Sequence, residues 1–456
     1  LHVRSRRQRQ MCIRDRLVTI LLNREVSKMK YNTQNAKIKS ITEKTLIVGI
    51  DVGSETHFAR AFDWRNYEYS KKPLEFSNTE AGFMTLKAWM ADLAEKYGKN
   101  VVIPGMEPTG HYWFNLGAYL QDNGMKPVHV NPHHVKKSKE LDDNNPNKND
   151  RKDPKTIAAL VNEGRFSYPY IPTGIYAEIR SLSNLRLQAQ EEITRIKNRI
   201  ARWFSIYFPE IKDVYRNPDS VSGLMILKEA PLPQDIVKLG VDGINKIWRD
   251  AKLRAAGLKR AKILVTAAEH SIGSQEAPDS ARIELKNLLN DYEIYKNREE
   301  GLMSVIEEKL SEIPHIDKLL EIKGVGLKTV SGFVAEVGDI TRFDDPKQLQ
   351  KLAGYAIVEC SSGKHKGESH ISYRGRKRLR YVLYEAAISL IARNEEFKEV
   401  HRYYRTRKEN PLKKMQSVIA VACKVLRIFY TILTKGVTYD GAKMLQDIKR
   451  PQMLAV

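Results

Sequence analysis

Thr45-Leu46-Ile47-Val48-Gly49-Ile50-Asp51 (TLIVGID) decides how the N-terminal part of this chain folds. Its apolar residues run without polar alternation and stop at an acid, as in a strand buried on both faces. Gly53, Ser54 and Glu55 follow as a turn signal, so His57 to Asp63 is expected to return as the hairpin partner. A helix comes next, capped near Asn78 or Thr79, with Phe83, Leu86, Met90 and Leu93 on one face. Val101 to Glu107 (VVIPGME) is a second strand ending in an acid. Beyond it the pattern predicts a helix over His111 to Asn123, a short strand over Pro127 to Val130, a polar loop over Lys136 to Asn149 and a helix over Lys155 to Glu163. Strands alternating with helices give an α/β layer domain over residues 45–174.

Residues 175–315 read differently. Tyr176 to Ile206 carries Ile179, Leu182, Leu185, Ile193, Ile196 and Ile200 at helical spacing, and Arg282 to Leu310 is a second long amphipathic stretch. The two are expected to pair as an antiparallel coiled-coil arm, within one chain or between chains. From residue 316 to about 440 the chain turns to glycine turns, dense Arg and Lys, and helices, with a tail over 441–456. At the other end, Leu1 to Arg16 (LHVRSRRQRQMCIRDR) has no apolar periodicity and resembles translated sequencing-adapter sequence. Met29 is the expected native start, and residues 1–44 are expected to be disordered or artefactual.

The net charge of +22 and a pI near 9.6 point to a polyanionic partner, because the basic residues cluster beside chemical motifs. Hydrophobic residues make up 42%, an ordinary globular share that argues against wholesale disorder. Cys12, Cys360 and Cys423 suit neither a disulfide framework nor a zinc site, which fits a reducing cytosol. No apolar run is read as long enough to span a membrane, and Val418 to Leu433, broken by Lys424 and Arg427, reads as a buried helix.

Asp51 and Glu107 each end a predicted inner strand, the edge at which open α/β sheets bind ligands. Asp150 and Asp153 are three apart, on one face if that segment is helical. Four converging acids can hold two divalent cations, and such a pair activates a nucleophile and stabilises a leaving oxygen at a phosphodiester. Mg2+ (or Mn2+) suits oxygen ligands. Each acid also has an ordinary reading. Asp51 closes a turn with Gly53, Glu107 satisfies backbone donors, and Asp153 caps a helix whose first residue is Pro154.

Leu319 to Gly338 (LLEIKGVGLKTVSGFVAEVG) reads as helix, tight hairpin, helix around Gly324-Val325-Gly326. Backbone N–H groups of such a turn can face a phosphate, with Lys328 beside them; the plain alternative is an αα-hairpin with glycine for packing. Further on, Cys360-Ser361-Ser362-Gly363-Lys364 precedes Ile371 to Arg380 (ISYRGRKRLR). A serine before glycine among cations can attack phosphorus, and Lys364, Arg374, Arg376, Lys377, Arg378 and Arg380 would contact the backbone of a nucleic acid. Taken alone, Ser-Gly in a basic loop is usually only a loop.

The segments IVGIDVGSETH, GMEPTGHYW and NDRKDPKTIAAL resemble the three acidic motifs of the DEDD-type transposases of insertion sequence family 110. The resemblance implies a RuvC-like, RNase H-type fold and assigns the four acids to Asp51, Glu107, Asp150 and Asp153. Pro154 stands where such proteins usually have alanine. Leu319 to Arg380 resembles the family's C-terminal transposase domain with its catalytic serine motif, which implies Ser362 as nucleophile and Ser361 as the close alternative. Tyr373-Arg374-Gly375 replaces the usual Lys-Arg-Gly.

The implied protein is a bacterial recombinase acting in the cytoplasm, at the nucleoid. It binds double-stranded DNA at element ends and target, is chosen onto both by a bridge RNA as guide, and works as a homo-oligomer, dimer or tetramer. Two other readings fit the residues. One is a RuvC-like structure-specific nuclease that uses metal-activated water and needs no serine. The other is a non-catalytic nucleic-acid-binding scaffold, which needs no acids. Trp89, Trp113, Trp203 and Trp248 read as core or interface residues, and His111, His133 and His134 show no metal spacing.

Overall fold

A computed structural model describes residues 34–70, 72–108, 110–142, 153–217, 219–358, 361–362, 365–366, 370–446 and 448. The chain divides into two compact units, Leu1–Tyr170 and Ile171–Val456.

In the first unit, residues 34–39 are helical (α1). There follow β1 (Thr45–Val52), β2 (Thr56–Phe62), β3 (Leu74–Ser77), α2 (Glu80–Lys96), β4 (Val101–Met106), α3 (Trp113–Asp122), β5 (Val128–Val130), α4 (Pro132–Asp142), α5 (Asp153–Asn162) and β6 (Phe166–Ser167). The sheet order is β3-β2-β1-β4-β5-β6. β1, β2 and β3 form an antiparallel meander, β4 and β5 run parallel to β1, and β6 returns antiparallel to β5. The apolar run of β1 makes it one of the two central strands, with Leu46, Ile47, Val48 and Ile50 fully buried, as its composition predicts. Thr79 caps α2, accepting from the Gly82 N–H at 3.3 Å.

Two expectations change here. Order reaches back to residue 34: the Gln34 amide donates to the Glu163 carbonyl at 2.9 Å, Lys37 lies over the Phe166 ring, and Ile41 is buried. The segment read as a polar loop from Lys136 is helical to Asp142. Asn131 starts that helix, its Oδ1 accepting from the His133 N–H at 2.9 Å, Pro132 supplies the first φ, and buried Val135 anchors it to the sheet. Among its described side chains one buried residue, Val135, was enough against a polar composition. The rest of that segment, with Asp150, lies outside the described residues.

The second unit is mostly helical. It comprises α6 (Gly174–Tyr207), α7 (Ile211–Val214), α8 (Val221–Glu229), α9 (Pro233–Asp250), α10 (Leu258–Glu269), α11 (Pro278–Ser311), α12 (Ile316–Leu320), α13 (Leu327–Val337), α14 (Pro346–Leu352), four two-residue strands, α15 (Lys377–Arg393), α16 (Glu395–Thr406), α17 (Lys414–Lys435) and α18 (Gly441–Gln446). The long helices α6 and α11 pack antiparallel. Ile179 near the start of α6 shares a core with Ile306 and Leu310 near the end of α11, and Ile200 and Trp203 share another with Ala281 and Leu285. The indole of Trp203 donates to the Ala281 carbonyl at 3.0 Å.

α17 has 22 residues and is long and apolar enough to cross a membrane by length and composition, contrary to the sequence reading. Its stripe of Val418, Val421, Ala422, Val425, Leu426 and Phe429 is instead buried in the core of this unit, with Phe429 edge-on to Phe333 at 5.2 Å. The buried-helix reading of that stretch stands.

Candidate functional site

β1 and β4 are parallel neighbours with Gly49 opposite Gly105 and Ile50 opposite Met106. Asp51 is therefore the next residue on β1, and Glu107 the next residue after β4, at the same sheet edge. Side chains two apart on a strand share a face, so Asp51 lies on the face of Gly49 and Glu107 continues that of Gly105. Both glycines lie under α5. A Cβ at Gly49 would stand 1.9 Å from the Pro154 carbonyl oxygen, and one at Gly105 would stand 2.6 Å from Val161 Cγ2. The paired glycines let α5 lie directly on the sheet, and its first residue is Asp153.

Asp153 is buried, with its carboxylate ion-paired to Lys139 of α4. A buried carboxylate needs such a partner. Asp51 and Glu107 are half-buried. Among the described residues no three acids, histidines or cysteines close into a metal-binding group. The three acids offer the oxygen donors that a hard divalent cation prefers, and Lys139 stands in a cation's place at Asp153.

Two histidines frame this edge, and the sequence reading passed over both. His57 pairs with Val52 in the β1–β2 hairpin; its Nδ1 accepts from the Gly53 N–H at 3.2 Å, and its ring packs against Phe76 and Phe83. Burial lowers its pKa, so the neutral ring fixes the turn just beyond Asp51. His129 on β5 is the register partner of Met106 and meets Trp113 edge-on at 4.2 Å. Burial lowers its pKa to about 4. The signal for this edge was present as a repeated spacing: Gly49-Ile50-Asp51 and Gly105-Met106-Glu107 both read glycine, any residue, acid.

In the second unit, Ser361 and Ser362 form a strand, where a basic loop was expected. The four short strands are β7 (Ile357–Val358), β8 (Ser361–Ser362), β9 (His365–Lys366) and β10 (His370–Ile371). β7 pairs with β10, and β8 with β9, Ser362 facing His365 in register. The β8–β9 pair is a narrow antiparallel ribbon, a separate sheet from β7–β10; residues 359–360, 363–364 and 367–369, Lys364 among them, lie outside the described residues. The chain flanking β7 and β10 is locked. A Cβ on Gly375 would meet the Leu352 carbonyl at 2.4 Å and Gly354 N at 2.5 Å, and Gly354 itself has φ +74°. Tyr373 also adopts a positive φ, 53°. Arg380 donates to the Ala353 carbonyl at 3.0 Å and the Tyr373 carbonyl at 3.3 Å, while buried Tyr355 donates to the Arg380 carbonyl at 2.8 Å.

The basic residues divide accordingly. Arg376 is salt-bridged to Glu336 at 3.2 Å, and Arg378 is bonded to Asn184 Oδ1 at 2.5 Å, so with Arg380 they hold the unit together. Arg374 and Lys377 are exposed beside the ribbon. Around the glycine turn, Gly324 has φ +102° and its carbonyl accepts from Ser389 Oγ at 2.7 Å. Gly326 opens α13 with free space where a Cβ would be. The turn lines a cleft of about 760 Å³ with Glu299, Lys328, Ser389 and Arg393, and Lys328 Nζ is 2.6 Å from Glu299 Oε1. Lys328 is thus already paired, while Arg393 also lines the cleft.

Two family models match the chain. One, described as a transposase of the DEDD IS110 type, covers residues 48–209; the other, "Transposase IS116/IS110/IS902 family", covers residues 316–402. The acid edge lies in the first and the serine ribbon in the second. Among curated relatives, the 44.8 kDa protein of insertion element IS116 from Streptomyces clavuligerus is 24% identical, over 85% of this chain and 94% of its own length. The 43.6 kDa protein of insertion element IS110 from Streptomyces coelicolor is 21% identical, over 87% and 96%. The pilin gene-inverting protein of Moraxella bovis is 30% identical over 28% of this chain and 40% of its own length. Both halves of the family's pattern are present in order along one polypeptide, and the chain belongs to the IS110 family of DNA transposases and recombinases.

Proposed function

We propose that this transposase cuts and rejoins DNA through two half-sites, the carboxylate edge of the first unit and a serine on the ribbon of the second. The observation that carries the reading is the register of β1 and β4, which aligns Asp51 with Glu107 beside the start of α5. The strand order, an antiparallel meander followed by parallel strands, supports the RuvC-like, RNase H-type assignment. The antiparallel α6–α11 pair supports the coiled-coil arm.

DEDD transposases generally use a divalent metal. Here Asp51, Glu107 and Asp153, with Asp150, would hold Mg2+ or Mn2+. Such an ion, when bound, supplies Lewis acidity at phosphate oxygens. The chain's own part is to present a serine oxygen and cations. Ser362 Oγ, or Ser361 Oγ, bonds to phosphorus as the phosphorus–oxygen bond to the DNA chain breaks, and the departing deoxyribose oxygen takes up a proton. The phosphoserine ester conserves the bond energy. A hydroxyl of a second DNA end then attacks the same phosphorus and releases the serine, without net hydrolysis. Arg374, Lys377 and Lys364 neutralise the backbone, and the Gly324–Gly326 turn contacts a phosphate. A relative named for inverting a gene supports rejoining over hydrolysis, since inversion needs both ends resealed. The acids and the serine belong to separate compact units, which suits a site shared between subunits of a dimer or tetramer. A bridge RNA selecting both DNA partners, and action in the cytoplasm at the nucleoid, complete the reading.

Ser362→Ala and Ser361→Ala, made separately, are expected to differ in covalent protein–DNA adducts, one abolishing them and the other not. Adducts persisting in both remove the serine and leave a nuclease that uses water. Asp51→Asn is expected to abolish strand cleavage with Mg2+ present; retained cleavage removes the metal role. DNA binding without any cleavage or joining by the intact chain would favour the scaffold.

A further inference from the structure

The connection from β2 to β3 carries Trp64, 46% exposed, and Tyr67, 65% exposed. Neither has a part in the chemistry above, and the first unit's core does not need them. The tip that bears them is nonetheless tightly built. Asp63 is 1% exposed, and its Oδ1 accepts from the backbone N–H groups of Arg65 and Tyr67, both at 2.8 Å. Its own N–H donates to the Tyr67 carbonyl at 2.9 Å. Asn66 takes φ 64°, a conformation asparagine tolerates. From the end of α5, Asn162 Nδ2 donates to the Asp63 carbonyl at 3.0 Å and to Asn66 Oδ1 at 2.7 Å. A buried acid, a left-handed residue and a helix-borne amide thus fix a loop whose outward side chains are apolar rings.

Those rings continue into a surface. Tyr67 meets Tyr69 edge-on at 5.9 Å, and Tyr69 lies flat on Tyr97 at 3.9 Å and 12°. Cations flank the rings: Arg65 lies 5.6 Å from the Trp64 centroid, Lys99 5.4 Å from Tyr69 and Lys96 5.4 Å from Tyr97. Arg65 is paired with Asp63 and Lys99 donates to the Glu43 carbonyl, yet a purely apolar partner would still have to strip water from all three cations. A partner with π-faces joined by anionic links satisfies rings and cations together, and unpaired bases on a sugar–phosphate strand have that chemistry.

We infer that the Trp64–Tyr67 tip, continued by Tyr69 and Tyr97, is a stacking platform for unpaired nucleobases of a nucleic-acid strand. Its place gives it a role. Phe62, which precedes the tip, pairs with Ile47 near the start of β1, so the platform lies at the sheet edge opposite Asp51. The α5 helix runs from Asp153 to Asn162, about 14 Å at 1.5 Å per residue. A strand gripped at the tip and running the length of α5 reaches the acid edge within a few nucleotides. The platform holds a strand that is already unpaired there. The inference requires only that the enzyme handles nucleic acid; it stands whether or not the acids bind metal or the serine attacks.

The test measures binding of the full chain to fluorescein-labelled dT12, rU12 and a blunt 12-base-pair duplex, at a salt concentration that suppresses non-specific contacts. Trp64→Ala and Tyr67→Ala are expected to weaken single-strand binding about 5- to 150-fold, the span of base–aromatic stacking. Duplex binding should change less than twofold, the salt slope should not move, and Trp64→Phe should recover most of the loss. A loss on dT12 alone, rU12 alone or both identifies DNA, RNA or either as the strand. As a readout independent of affinity, saturating oligonucleotide should quench an indole component in the wild type that Trp64→Phe lacks. Equal losses on single strand and duplex, or no loss together with no Trp64-dependent quenching, would overturn the proposal.

Discussion

The acid edge of the first unit and the serine ribbon of the second are held by different amounts of structure. Asp51 and Glu107 stand at the ends of strands within a six-stranded sheet, under a helix that rests on two glycines. Ser361 and Ser362 stand on a ladder of two residue pairs, and the Gly354–Gly375 contact and the Arg380 hydrogen bonds fix the neighbouring β7–β10 pair. The difference matches the two tasks proposed for them. Carboxylates that share a cation must be set in place beforehand, because the fold has to hold them together against their mutual repulsion until the cation arrives. A nucleophile that engages a DNA phosphate needs its base fixed and its tip able to reach.

That comparison is open to attack, beginning where the largest effect is expected. Gly49→Ala forces a methyl group onto the Pro154 carbonyl and should destabilise the first unit by about 3 kcal/mol. Gly375→Ala should cost the second unit about 2 kcal/mol and leave the first unit's transition in place. Domain-resolved hydrogen exchange would show whether the two losses stay separate; a single shared loss would mean the units are not independent in stability.

Lys139→Met removes the cation facing a buried Asp153 carboxylate and should cost about 2 kcal/mol. Millimolar Mg2+ should restore part of that loss in denaturant titrations if Asp153 is a metal ligand. No restoration would make the Lys139–Asp153 pair purely structural. Acid should act on the same unit. Burial depresses the folded-state pKa of His57, and that of His129 to about 4. Their contribution is present above the unfolded value near 6.5 and is lost as pH falls toward about 4, because the unfolded chain then binds protons the folded one refuses. Allowing for partial solvent screening, the first unit should lose of order 1–2 kcal/mol over that window, and His129→Phe should flatten the curve. The smallest effect is on the ribbon's flank. Arg374→Ala should change stability by less than about 0.5 kcal/mol yet lower the salt slope of DNA binding by about one.

The acid edge was largely legible in the sequence, since TLIVGID and VVIPGME announce strands that end in acids. Its working detail was not, because the contact between Gly49 and Gly105 depends on register between strands over fifty residues apart. The helix from Pro132 was hidden by its Lys-rich composition, with Val135 the one clear apolar anchor. Two-residue strands have no periodicity, so the ribbon around Ser362 could not announce itself. The Trp64 tip went unread for a related reason. Its meaning lies in Asn162, which reaches it from a helix almost a hundred residues later.

The pairing of Gly49 with Gly105 also bears on how loss of function should be diagnosed in relatives of this enzyme. An inactive copy can keep every carboxylate and the serine proposed above. Two absent methyl groups set the height of α5 above the sheet, so a single alanine at either glycine could silence such a copy while every recognisable motif residue survives. Decayed and working elements would then be told apart by the residues two places before Asp51 and Glu107 as well as by the acids themselves.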